Sequence, residues 1–417
     1  MNILLSHPTG NQNVRMAADG LRAQGALAAY RTGIAVFPGQ GLDRLAGWSP
    51  LREVRRRRLD AGLRPVTRAF PWLEAGRLLA GRLGLTSLTR HETGLLSVDA
   101  IYRAHDRWVA SQLTSAAGGR LTGVYAYEDG ALSTLRGARE RGLTAFYDLP
   151  IGYWRAARRL LSEERERLPE WATTLKGFKD SAEKLQRKDD EIAAADRILV
   201  ASSFTARTLE DYPGALPPVD VVPYGFPTPG PDRTYWQGRG PLKLLFVGGL
   251  SQRKGVADMF AAVERLGAHV SLTVVGRKAV EDCGPLNEAL HRHTWHPSLP
   301  HEEVLKLMRA HDVLLFPSLF EGFGLVITEA MSQGTPVITT DRTAGPDLIE
   351  HGRNGWLIEA GSRSALTEAI ERLLTSPEPI RANGLAARES ARRRPWGVYG
   401  AELAAVLLQH RSSISAT

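Results

Sequence analysis

The amino-acid sequence predicts an α/β protein made of two Rossmann-like domains that face each other across a cleft. Three observations lead there. Apolar strand patterns alternate with helical patterns through most of the chain, which is the pattern of a parallel sheet covered on both faces. The alternation stops and restarts around a Pro/Gly-rich stretch, Pro217-Pro218 and then residues 222–231. The length of 417 residues is also too great for one hydrophobic core, since single cores stop growing at about 250–300 residues.

The elements follow in order. Residues 3–6 read as an apolar strand that runs into the turn His7-Pro8-Thr9-Gly10-Asn11 and a helix over 14–21 ending near Gly25. Residues 40–115 are mostly helical in pattern, irregularly broken by Gly and Pro, and read as an elaborated insertion. Strands at 123–127 and 144–148 flank a helix at 131–141; a long charged helix between 154 and 195 follows, then a strand at 197–201 and a helix at 205–212. The Pro/Gly-rich stretch sets the expected boundary between domains 1–222 and 223–395. Beyond it the reading is strand 243–247, helix 256–266, strand 271–275, helices 286–293 and 302–310, strand 313–316, helix 325–333 and strand 336–339. Ligands of such sheets are expected at the carboxyl ends of the strands.

Composition narrows the class. With 43% apolar and 24% charged residues the chain reads as an ordinary globular protein. It has no run of about 18 apolar residues, and residues 1–7 are too short and lack a basic flank, so neither a membrane span nor a signal peptide is expected, and the expected location is the cytoplasm. Cys283 is the only cysteine, which leaves no internal disulfide and no cysteine-rich metal site. Of the net charge of +8, +7 falls in residues 1–220. Much of it lies in residues 51–68, where Arg52, Arg55, Arg56, Arg57, Arg58, Arg64 and Arg68 alternate with Val54, Leu59, Leu63 and Val66. Such a run suits peripheral contact with an anionic membrane or an acidic acceptor, and equally a solvated helix face. No nucleic-acid motif accompanies it, so nucleic acid is not an expected partner.

The chemistry is concentrated in the second half. In Phe316-Pro317-Ser318-Leu319-Phe320-Glu321-Gly322-Phe323-Gly324-Leu325 an apolar strand delivers Glu321 into a glycine-rich turn, and Glu329 follows on the helix that the turn opens. The helix start offers unpaired N–H groups from about Phe323 to Val326, and Gly322 and Gly324 are expected to let a phosphate approach the backbone. Earlier, Val247-Gly248-Gly249-Leu250-Ser251-Gln252-Arg253-Lys254-Gly255 is again a strand entering a glycine-bearing loop, with two cations at the next helix start. Fixed cations and a helix dipole suit a nucleotide-diphosphate leaving group without a metal. The chain has no D-x-D triplet; Asp189-Asp190-Glu191 is the nearest run and reads as a solvated face. No metal or other cofactor is expected, and a nucleotide-diphosphate sugar is the expected co-substrate.

These motifs resemble glycosyltransferase family 4, the retaining nucleotide-sugar enzymes of GT-B fold. Glu321 and Glu329 match its E-x7-E signature, residues 247–255 its phosphate-binding loop, residues 222–226 its interdomain linker and Gly334-Thr335-Pro336-Val337-Ile338 its following strand. The strong match spans about residues 244–360. The resemblance implies that Lys254 and Arg253 hold the diphosphate, Glu329 bonds the donor ribose and Glu321 contacts the donor sugar. Gly249 and Leu325 belong to the same donor-binding loops. Arg277 reaches phosphate or base on this reading, or is a surface residue. The sequence from Trp396 and Tyr399 to Leu408 resembles the family's last helix, at about 396–410, which packs back on the first domain.

The first half departs from the family. Its first loop has one glycine, Gly10, still expected to admit phosphate or sugar. Where members carry a His near the sugar, this chain has Tyr147-Asp148-Leu149-Pro150, with Asp148 as the substitute candidate or a turn residue. Tyr127-Glu128-Asp129-Gly130 suits acceptor hydroxyls or a helix cap, and Thr343-Ala344-Gly345-Pro346-Asp347 suits sugar binding or a plain loop. The function these readings imply is transfer of a hexose-type sugar to a glycan or lipid-linked acceptor. A nucleotide-sugar epimerase or hydrolase of the same architecture would turn over donor without acceptor, and a non-catalytic nucleotide-sugar-binding protein would bind without turnover.

Overall fold

The computed structural model describes residues 2–39, 57–113 and 120–414. Arg52, Val54, Arg55 and Arg56 of the basic run lie outside the described residues. Among those described, two parallel sheets organise the chain.

The first sheet has seven strands in the order β3-β2-β1-β4-β5-β6-β7. In chain order its elements are β1 (Ile3–His7), α1 (Gln12–Ala23), β2 (Leu27–Thr32), β3 (Thr67–Ala69), α2 (Trp72–Arg82), α3 (Val98–Ala110), β4 (Gly123–Tyr127), α4 (Leu132–Arg139), β5 (Thr144–Leu149), α5 (Trp154–Arg167), α6 (Ala182–Ala194), β6 (Arg197–Val200), α7 (Ser203–Thr208) and β7 (Val219–Val221). β1, β4 and β5 are largely apolar and almost wholly buried because helices cover both faces.

The second sheet has six strands in the order β10-β9-β8-β11-β12-β13. Its elements are β8 (Leu242–Val247), α8 (Val256–Leu266), β9 (Val270–Val275), α9 (Gly284–His291), β10 (Thr294–His296), α10 (His301–Ala310), β11 (Val313–Phe316), α11 (Leu325–Ser332), β12 (Val337–Thr340), α12 (Gly345–Leu348), β13 (Trp356–Ile358), α13 (Arg363–Thr375) and α14 (Glu378–Arg393). Helix α15 (Trp396–Ile414) then crosses back to α1. There Gly20 and Gly400 meet backbone to backbone, since a Cβ on either would overlap the other. Tyr399, Leu403 and Leu407 join Val14, Ala17 and Leu21 in the core of the first sheet.

Several sequence expectations need correction. The long charged helix over 154–195 is two helices, α5 and α6, separated by 3-10 turns at Pro169–Thr174 and Lys176–Phe178; Pro169 lacks the N–H that a continuing helix requires. Trp171 of this break is buried in the core of the second sheet, 6.3 Å from the Phe260 ring. Asp189 and Glu191 do not form a solvated face. Asp189 accepts from Tyr153 Oη at 2.5 Å and Trp154 Nε1 at 2.7 Å, and Glu191 accepts from the backbone N–H of Asp129 and Ala131. Residues 61–69 form a 3-10 turn and the edge strand β3, and the Arg57 side chain is buried against Glu74. Strands β2, β3, β7, β10 and β13 and helices α13 and α14 had no counterpart in the sequence reading. Four of these strands have only three residues, too few to show a period.

Candidate active site

The central strands β8 and β11 pair side by side, Leu244 beside Val313 and Leu245 beside Leu314. They flank the point where strand order reverses, and open parallel sheets bind ligands in the crevice beyond the carboxyl ends of such strands. After β8 the chain makes a 3-10 turn at Gln252–Lys254 and enters α8 through Gly255. Gly255 has φ +68°, and a Cβ there would overlap the carbonyl oxygen of Pro317. Glycine therefore lets the loop after β8 lie directly against the loop after β11. The two are tied by Leu319 N, which donates to the Arg253 carbonyl at 2.8 Å, and by Ser318 Oγ, which donates to the same oxygen at 3.2 Å.

This contact brings three of the expected residues together. Lys254 Nζ forms an ion pair with Glu321 Oε2. Arg253 Nη1 lies 3.2 Å from the same carboxylate oxygen and donates to the Phe320 carbonyl at 2.7 Å. The Lys254 ammonium also stands 4.7 Å from the centroid of the Phe316 ring. Burial, and then the adjacent Arg253, push this ammonium well below its ordinary range. Burial also lowers Arg253. Two desolvated cations that share one carboxylate retain capacity for a second anion. Helix α11 opens at Gly324, φ +87°, with no side-chain cap, so its first N–H groups and its dipole add positive potential.

The remaining expected residues are placed as follows. Glu329 lies on α11, half-buried, with His301 Nδ1 of α10 at 3.8 Å from its Oε1; burial raises its carboxyl, and His301 opposes that shift. Gly249 is exposed, with open space where a Cβ would stand, so a ligand can approach its backbone. Beside Gly322 that space is filled by Pro150 and Ile151, and beside Gly324 by the Phe316 ring. Phe323 is buried 4.8 Å from the Tyr224 ring, and Leu325 packs on the same core, so these two side chains serve packing. Arg277 is exposed, and its backbone carbonyl accepts from Leu250 N.

On the first sheet, Gly10 has φ +58°, but the Tyr30 hydroxyl and Thr32 Oγ1 occupy the side where a Cβ would stand, and its N–H donates to His7 Nδ1 at 3.0 Å. It shapes a turn. Asp148 is buried at the end of β5 and accepts from Tyr125 Oη. Burial, with a smaller contribution from Glu128, raises its carboxyl to about 7, against the Tyr125 bond. Of the paired readings, Glu128 is ion-paired with Lys188 Nζ at 2.8 Å, and the start of α4 is capped by Asp106. Asp347 accepts from Ser203 N and Oγ at 2.9 and 3.1 Å, bridging the two sheets.

Sequence reasoning missed three residues of the site. His7 accepts N–H bonds from Thr9 and Gly10, and burial lowers its imidazole to about 3, so it is neutral. A polar residue ending a buried strand was the available signal. Gln252 ties the loop after β8 to the first half through Glu164 Oε1 at 2.5 Å and Thr174 Oγ1 at 2.9 Å. His301 gives no local signal, because it lies 28 residues from Glu329 in the chain.

Residues 241–376 match the family model described as glycosyl transferases group 1. Alpha-maltose-1-phosphate synthase of Mycolicibacterium smegmatis is 30% identical over 228 residues, covering 48% of this chain and 59% of that protein. D-inositol 3-phosphate glycosyltransferase of Segniliparus rotundus is 31% identical over 246 residues, covering 52% and 54%. The chain thus spans about half the length of the relatives it matches. Among solved structures, sucrose-phosphate synthase from Thermosynechococcus elongatus superposes with TM-score 0.66 at 17% identity, over 100% of both chains. Anabaena HepE in complex with UDP-glucose superposes with TM-score 0.62 at 15% identity, over 98% of this chain and 100% of that one. The two Rossmann-like sheets share the GT-B architecture of these structures.

Proposed function

We propose that the chain is a glycosyltransferase of the family 4 kind, which moves a hexose-type sugar from a nucleotide-diphosphate donor to a glycan or lipid-linked acceptor with retention and without a metal. The observation that carries this reading is the convergence of Arg253, Lys254 and Glu321 beside the open backbone of Gly249, at the strand-order reversal of the second sheet. A diphosphate entering there gains two cations and the dipole of α11, and Glu321 is released to meet the donor sugar. Charge that builds on the departing diphosphate is stabilised by groups already fixed in place, which is the most effective form of electrostatic catalysis. A diphosphate oxygen takes the acceptor proton on the face that the leaving group vacates. Glu329 is the hydroxyl acceptor for the donor ribose.

The test is a panel of nucleotide sugars, read first by thermal stabilisation, since a ligand of the folded state raises stability by mass action. Transfer is then followed over an acceptor panel, with and without EDTA. The proposal expects one donor to stabilise the protein and transfer to persist in EDTA. Donor turnover with no acceptor dependence would instead mark an epimerase or hydrolase, and binding without turnover a non-catalytic protein.

A further inference from the structure

Of the nine large apolar side chains exposed among the described residues, six lie within residues 72–98. Trp72, Leu79 and Leu83 are 77%, 58% and 63% exposed, and their spacing of seven and four residues puts them on one face of α2 and its continuation. The turns after α2 extend this face. Leu96 rests on Gly76, between Trp72 and Leu79, at 3.3 Å from where a Cβ would stand, and the adjacent Leu95 is 78% exposed. The result is an apolar surface on a helix whose buried side is held by Glu74, which accepts from Arg77 at 2.7 and 2.8 Å.

The segment that carries this surface is basic. Arg82 on α2 and Arg90 in the turns after it are exposed, as are Arg64 and Arg68 in the segment before it. The acids between residues 61 and 98 are Glu74, buried on Arg57 and Arg77, and Glu92, which accepts from Ser181 N and pairs with His91. A protein partner would have to supply both carboxylates and an apolar face, whereas an anionic bilayer offers phosphate charge above hydrocarbon, in the order in which arginine, tryptophan and leucine partition. The first turn of α2 also stands at the carboxyl-end rim of the first sheet: Glu74 Cβ lies 3.7 Å from the Cβ position of Gly33, whose N–H donates to the Pro8 carbonyl.

We propose that the apolar face of α2, with the exposed arginines of its segment, seats the protein on an anionic phospholipid bilayer and so holds the rim of the cleft at the membrane surface. That the acceptor arrives from the bilayer rests on the glycosyltransferase reading; the docking surface does not. The test floats the full chain with vesicles of phosphatidylcholine and phosphatidylglycerol, and with phosphatidylcholine alone. Binding is expected on the mixed vesicles and should weaken with salt. Trp72→Ser combined with Leu79→Ser and Leu83→Ser should lower it by roughly tenfold or more, given the transfer free energy of three apolar side chains. Arg82→Glu with Arg90→Glu should lower it on anionic vesicles only. The triple variant should keep its melting temperature and its binding of UDP or GDP. Wild-type protein that does not float, or a triple variant that floats as well as wild type, overturns the proposal. So does a wild-type dimer in gel filtration that the triple variant abolishes, because the face would then be an interface between copies. Flotation without any nucleoside-diphosphate binding would overturn the glycosyltransferase reading and leave the docking surface standing.

Discussion

At the scale of residues, two charged groups are held away from their ordinary equilibria by burial, and each gives a prediction. Lys254 is a desolvated cation against Glu321. Removing one well-placed electrostatic donor typically costs about 10²–10³ in rate, so Lys254→Ala should lower transfer by that factor and Mg²⁺ should not restore it. Initial rates on the folded variant check this, and rescue by the metal would give the lysine's task to an ion. Asp148 is a buried acid whose folded pKa is raised to about 7 from an ordinary 3.8. The sign is opposite to that of a salt-bridged carboxylate. Between about pH 4 and 7 the folded chain keeps a proton that the unfolded chain has released, so this group's contribution to stability falls as pH rises. Asp148→Asn should therefore gain on wild type across that window, by at most about 4 kcal/mol at pH 8, one pKa unit being about 1.4 kcal/mol. Denaturant melts at pH 4 and pH 8 measure the difference. A constant offset between the two proteins would show that Asp148 does not titrate there.

At the scale of elements, glycines set how closely neighbouring backbones approach. Gly20 and Gly400 let α1 and α15 cross in contact, whereas Gly397 on α15 has open space around it. Gly20→Ala should destabilise by about 1–3 kcal/mol through overpacking, while Gly397→Ala should stay within about 0.5 kcal/mol. The pair separates close approach from any general effect of changing a helical glycine, and equal melting temperatures would refute the close crossing. The same reasoning applies to Gly255 in the loop after β8. Its missing side chain makes room for Pro317, and the site follows from that contact.

At the scale of the whole molecule, the glycine turn after β11 is held as much by the first half as by the second. The Gly322 carbonyl accepts from Ser202 Oγ and from Thr205 Oγ1, the latter at 2.9 Å, and Phe320 stacks edge-on against Phe204. Thr205→Val keeps the shape and removes one of these bonds. It should cost about 1 kcal/mol in stability and, by loosening the turn that carries Glu321, lower kcat more than it raises KM. Unchanged kcat would mean that Ser202 alone holds the turn. The fold class and most central strands and helices of both halves were legible in the sequence, because buried parallel strands are runs of apolar residues and surface helices carry a 3.6-residue period. Glu321, Glu329 and the Arg253-Lys254 pair were legible because each sits at a strand-to-helix transition marked by glycine. The tertiary structure alone decided that Arg253 and Lys254 share Glu321, that His301 faces Glu329, that Asp189 and Glu191 are buried and that Trp171 belongs to the second core. Each of these depends on contact between segments far apart in the chain. Periodicity reports only which face of an element is apolar, while pairing across tens of residues is set by how the loops pack once both sheets have formed.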